Sequence, residues 1–154
     1  MSTPQSLVLG PSEGEKYLAG PFAITARVLG PQSGGAFELY ELALGPATID
    51  YHVHMGMDET LCVVEGEIEF LVAGERFLRP AGSTAFVPRG IHHGFTNLGP
   101  GRARLLVLFT PAAGQDEYFR GLERLFAAPE LDAAALKALQ KRFDQELVPP
   151  PESA

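Results

Sequence analysis

The chain has 154 residues, 45% of them apolar and 20% charged, with twelve basic against nineteen acidic side chains for a formal charge of −7. This composition excludes an intrinsically disordered chain, and the length suffices for one domain, expected over 1–154, with a core of its own. The acidic excess repels phosphate backbones and so speaks against a nucleic-acid partner.

The opening MSTPQSLVLGPSEGEK has no basic segment followed by an apolar one, so no secretory leader is expected. Residues 1–21 carry PSEG and AGP turn signals and read as an arm or short edge strands. Strands are then predicted over 22–29 and 37–44, divided by Gly30, Pro31 and the Gly34-Gly35 pair. In the second of these, Phe37, Leu39 and Glu41 are expected to share the apolar face, where the carboxylate would need a partner. Further strands follow over 48–54, 59–65, 67–73, 75–79, 84–87, 93–97 and 103–110, with turn chemistry such as Ala73-Gly74 and Pro88-Arg89-Gly90 between them. The second of these, 59–65, holds Cys62, the single cysteine, which suits a reducing, cytoplasmic compartment. The densest apolar run, 105–109, is far short of the ~18 residues of a membrane span. Short strands at even spacing with no helices between them indicate an all-β sandwich or barrel, here over about 22–111. Beyond Pro111 the period changes. Tyr118, Phe119, Leu122, Leu125 and Phe126 form one helical stripe, and Leu136, Leu139 and Phe143 another, with Asp132 as N-cap. The tail, about 115–147, is therefore expected to form two amphipathic helices packed on the barrel or on a partner subunit.

The chemistry-bearing residues are concentrated. All four histidines lie in two stretches, Tyr51-His52-Val53-His54 and Ile91-His92-His93. Histidines at i and i+2 on a strand point to one face, with Cα atoms under ~7 Å apart, so both imidazoles can reach one metal ion. Glu59 follows a short turn containing Gly56 and can fold back as an anionic oxygen ligand. The second stretch offers a third imidazole. Alternation sets His93 with Phe95 and Asn97 on one face and His92 on the other.

His52-x-His54-x4-Glu59-x6-Gly66 resembles the first motif of the cupin superfamily, and Gly82-x5-Pro88-x-Gly90-x2-His93-x3-Asn97 resembles the second. Gly45 lies one residue further from His52 than the pattern has it. The wider chain is similar to small single-domain bacterial cupins of the quercetin-dioxygenase-like type. The resemblance implies a double-stranded β-helix, or jelly-roll, barrel with a short helical tail. It also implies one divalent transition metal (iron, manganese, nickel, cobalt, copper or zinc) held by His52, His54, Glu59 and His93, with Glu59 doubling as catalytic base. The activity it implies is a metal-dependent dioxygenase acting on a small apolar or phenolic molecule, in a homodimer. The alternatives are a non-redox isomerase or epimerase, and a metal or small-molecule binding protein without turnover. Ile68, Phe70, Phe86 and Phe95 are expected to wall the pocket, with Val72 and Phe109 beside them. Tyr51 is a candidate hydrogen-bond partner for a ligand histidine, and Arg89 a candidate contact for an anionic substrate.

Overall fold

The computed structural model describes residues 3–152. Eleven strands and two helices run in the order β1 (Lys16–Ala19), β2 (Phe22–Val28), β3 (Glu38–Leu44), β4 (Ala47–Val53), β5 (Asp58–Glu65), β6 (Glu67–Val72), β7 (Glu75–Pro80), β8 (Thr84–Val87), β9 (His93–Asn97), β10 (Ala103–Thr110), α1 (Gln115–Ala127), α2 (Ala133–Arg142) and β11 (Glu146–Leu147). They build two antiparallel sheets, β1-β2-β3-β10-β5-β8 and β11-β4-β9-β6-β7. Neighbours within each sheet are mostly not neighbours in sequence, which is the jelly-roll winding that the resemblance implies.

Alternation decides what each strand buries. In β10, Ala103, Leu105, Val107 and Phe109 face inward; in β5, Glu59, Leu61 and Val63 do, leaving Cys62 on the other face. Together with Ile68, Phe70 and Phe95 from the smaller sheet they form the core between the sheets. Each such side chain contributes about 1.5–3 kcal/mol when fully buried. The β6–β7 hairpin closes on Ala73 and Gly74, both at positive φ, the geometry of a two-residue turn matched to strand twist.

β3 has the opposite facing to the one expected. Glu38, Tyr40, Leu42 and Leu44 point inward, and Glu41 lies on the outer face, where it pairs with Arg27 at 2.6 Å and Arg104 at 2.9 Å. The inward acid is Glu38, fully buried. It accepts from the Tyr40 hydroxyl at 2.7 Å and from the backbone N–H groups of Ala113 at 2.6 Å and Gln115 at 2.9 Å. A buried carboxylate is tolerable only with such donors, and two of them are N–H groups at the start of α1, where a helix favours negative charge. The tail is thereby fastened to the barrel. Phe119 of α1 packs edge-on against Tyr40, ring centres 4.8 Å apart. Asp132 caps α2 by accepting from Ala135 N at 3.0 Å, as the sequence predicts. No helix among the described residues is long and apolar enough to cross a membrane.

Candidate metal centre

His52 closes on β4 directly opposite His93 on β9, and the two rings lie 4.3 Å apart. A register shift between Ile49 and His52 precedes this pair, the kind of irregularity that re-aims side chains beside a site. His54 sits just past the end of β4, and Glu59 at the second position of β5. All four are buried, and one ligand atom from each lies within 4.8 Å of the others. Nε2 of His52 and His54 are 3.2 Å apart, and Glu59 Oε2 lies 3.0 Å from His54 Nε2 and 2.7 Å from His93 Nε2.

The far side of each ring explains the near side. His52 Nδ1 lies 2.6 Å from the Asp50 carbonyl, His93 Nδ1 3.0 Å from the Ile91 carbonyl, and His54 Nδ1 2.7 Å from the Asp144 carbonyl. Carbonyls only accept, so each ring keeps its proton on Nδ1. Each neutral ring then turns an Nε2 lone pair toward the other two and toward a carboxylate. Such a meeting of lone pairs calls for a cation in its midst, and three imidazole nitrogens with one carboxylate oxygen are a donor set suited to a divalent transition metal. Without a metal, protons fill that need. Burial pushes the His52 imidazole down to about 4, helped by the neighbouring imidazoles. Burial also opposes the charge on His54, yet the hydrogen bond and charge of Glu59 outweigh it and raise its pKa. For Glu59 burial again works against the charge, and the His54 and His93 bonds win, holding the carboxyl well below its usual range.

Three of the four, His52, His54 and Glu59, open onto a cavity of about 310 Å³ between the barrel mouth and the helical tail. Phe95, Val107 and Phe109 line its barrel side; Tyr118, Phe119 and Gln140 of the helices line the other. Phe95 and Phe109 are thus wall residues as expected. Ile68 and Phe70 are core residues that do not line this cavity, and neither does Val72. Phe86 is a correction: it points outward and is 59% exposed. Val87 stands opposite Glu59 and shares the inner face, so Phe86, opposite Thr60, must take the outer one. Tyr51 bonds none of the ligand rings; its hydroxyl accepts from Gly74 N at 3.0 Å, and its ring meets the exposed His92 edge-on. Arg89 is occupied by Asp58 and lies away from the cavity. Asn97 ties the turn after β9, donating to the Leu44 and Gly101 carbonyls.

Residues 38–109 match the family model described as "Cupin domain". A quercetin 2,3-dioxygenase of Bacillus subtilis (strain 168) is 34% identical over 89 residues, 57% of this chain but 26% of that protein, so the chain spans about a quarter of the length of this curated relative. Among solved structures, KdgF from Halomonas sp. superposes with a TM-score of 0.65 at 18% identity, over 73% of this chain and 99% of its own. The polyketide cyclase RemF from Streptomyces resistomycificus does so with 0.61 at 19%, over 69% of this chain and 80% of its own. At those identities the likeness is one of fold.

Proposed function

From the match of residues 38–109 to a cupin domain, we propose that the chain is a cupin and a metal-dependent dioxygenase acting on a small, mainly apolar molecule with a phenolic or enolic hydroxyl. His52, His54, Glu59 and His93 hold the metal, of which sequence and geometry do not single out the element. A bound divalent transition metal with open coordination positions supplies a Lewis acid and, where redox-active, a means of engaging oxygen.

The observation that carries the reading is the coupling of a charged, buried ligand cluster to an apolar cavity with no lysine or arginine in its lining. Beyond the metal itself, phosphorylated or multiply acidic substrates find no lysine or arginine there among the described residues. A ring system finds Phe95, Phe109 and Phe119, and 310 Å³ is at the small end of ligand cavities. Glu59, on the cavity wall, takes the hydroxyl proton. A carboxylate is a weak base, so the substrate hydroxyl has to be an acidic one, which favours enols and phenols over sugar alcohols. Van der Waals contact with the roofing helices orients the ring and excludes water from the reacting end.

The test is oxygen uptake by protein loaded in turn with iron, manganese, nickel, cobalt and copper, against a panel of flavonols, catechols and diketones. Uptake that depends on substrate, and is lost in His52→Ala and Glu59→Gln, supports the reading. Substrate conversion without oxygen uptake overturns it in favour of non-redox chemistry, and binding without conversion reduces it to a binding protein. For assembly we propose a homodimer, which a monomer mass by light scattering would refute. For location we propose the cytoplasm, on the lone thiol of Cys62.

A further inference from the structure

We propose that Asp144 is a positioning residue for the metal-binding set: it ties the tail that roofs the cavity to the turn that carries His54, so that the barrel ligands are completed by a segment far outside the cupin motifs.

His52 and His93 each use a carbonyl two residues earlier in their own segment, Asp50 and Ile91. His54 has left β4 and takes the Asp144 carbonyl, 90 residues on in the chain. That carbonyl is itself fixed from both sides. The Asp144 carboxylate accepts from Met55 N through Oδ1 and from Gly56 N through Oδ2, both at 2.8 Å, so it grips the backbone of the turn directly after His54. Its backbone stands at φ 62, a conformation that Asp tolerates better than most residues. Immediately after it, β11 pairs with β4 at Val53 and His52, and immediately before it, Gln115 Nε2 donates to the Phe143 carbonyl. One residue therefore holds three hydrogen bonds to three consecutive positions, His54, Met55 and Gly56, and sits in a tail anchored at both of its flanks. A ligand ring held by its second nitrogen keeps the orientation and basicity that metal binding needs.

The consequence is that the roof and the ligand set move as one body. A displacement of the tail releases the 54–57 turn and frees the His54 ring to rotate.

The test uses full-length Asp144→Gly, which removes the carboxylate but permits the backbone angle, and Asp144→Asn, which keeps that angle and one acceptor oxygen. The first readout needs no metal: long-range proton–nitrogen NMR of the histidine rings in chelator-treated protein. Loss of the fixed Nδ1-protonated form at His54, with His52 and His93 unchanged, is expected. The second is affinity for Co(II) by chelator competition, with its visible absorption spectrum. A drop of about ten- to a hundredfold for Asp144→Gly is expected, with Asp144→Asn between it and wild type, and a changed Co(II) spectrum. Unchanged His54 signals and wild-type affinity in both variants overturn the inference. So does a lowered melting temperature in which all three rings shift alike, because that marks Asp144 as a general tether. The inference rests on the metal reading only for its second arm: a wild type that binds no metal refutes that reading, while the NMR arm still decides the role of Asp144.

Discussion

Three imidazoles that each give their Nδ1 proton to a carbonyl have only lone pairs left to offer one another and Glu59, so a proton or a cation is needed among them. The strain of that arrangement shows as pH dependence in the metal-free protein. His52 falls from 6.5 in the unfolded chain to about 4 in the fold. The unfolded state therefore takes up the proton first as pH drops, so stability is lost between about pH 6.5 and pH 4, by roughly 3 kcal/mol at about 1.4 kcal/mol per pH unit. His54 works the other way: its raised value contributes stability that is fully present below 6.5 and lost as pH rises through its folded value, so its change lies above the His52 window and leaves that loss in place. Urea denaturation of chelator-treated protein at pH 7.0 and 5.0 is predicted to show a smaller pH loss for His52→Gln than for wild type. Equal losses in the two would show that His52 is not the group being held neutral.

At the scale of elements, the gap between β4 and β9 sets the His52–His93 separation, and Gly94 sets the gap. A Cβ there would stand 2.7 Å from the Ile49 carbonyl oxygen and 3.3 Å from the Asp50 carbonyl, backbone atoms that cannot swing aside. Gly94→Ala is predicted to push β4 outward, cost about 1–3 kcal/mol of stability and weaken metal binding more than Gly74→Ala does, although Gly74 is the one at positive φ. Chemical denaturation and metal competition on the two variants check the order. The hold of α1 on the barrel has its own test. Glu38→Ala strands the N–H groups of Ala113 and Gln115 and the Tyr40 hydroxyl, and is predicted to destabilise the protein by about 2–4 kcal/mol. A loss below about 0.5 kcal/mol would mean that the hold of α1 does not depend on Glu38. These elements also show how far sequence carries. The strands, both helices and the Asp132 cap are legible because period and turn residues mark them locally. The facing of β3 is not, since a buried Glu38 betrays itself only through donors supplied about 75 residues away. Phe86 misleads for a similar reason, because the parity of a four-residue strand is fixed by its partner Glu59–Val87 and not by its own composition.

For the molecule as a whole, the four-residue cluster is legible in the sequence and the rest of the candidate site is not. His52, His54, Glu59 and His93 are named by spacing and by family pattern, and the fold brings them within reach of one ion. The cavity wall drawn from α1 and α2, and the carbonyl that Asp144 lends to His54, come from a tail whose sequence signals only amphipathic helix. Closure of a barrel mouth by a distant segment is a long-range fact, and no local motif encodes it. The central claim is that these four side chains bind one divalent ion. Elemental analysis of protein loaded with Co(II) or Zn(II) and then desalted tests it most directly: the account predicts about one ion per chain for wild type and less than a tenth of that for His54→Ala. A wild type that emerges metal-free, or a His54→Ala variant that retains the full ion, would contradict it.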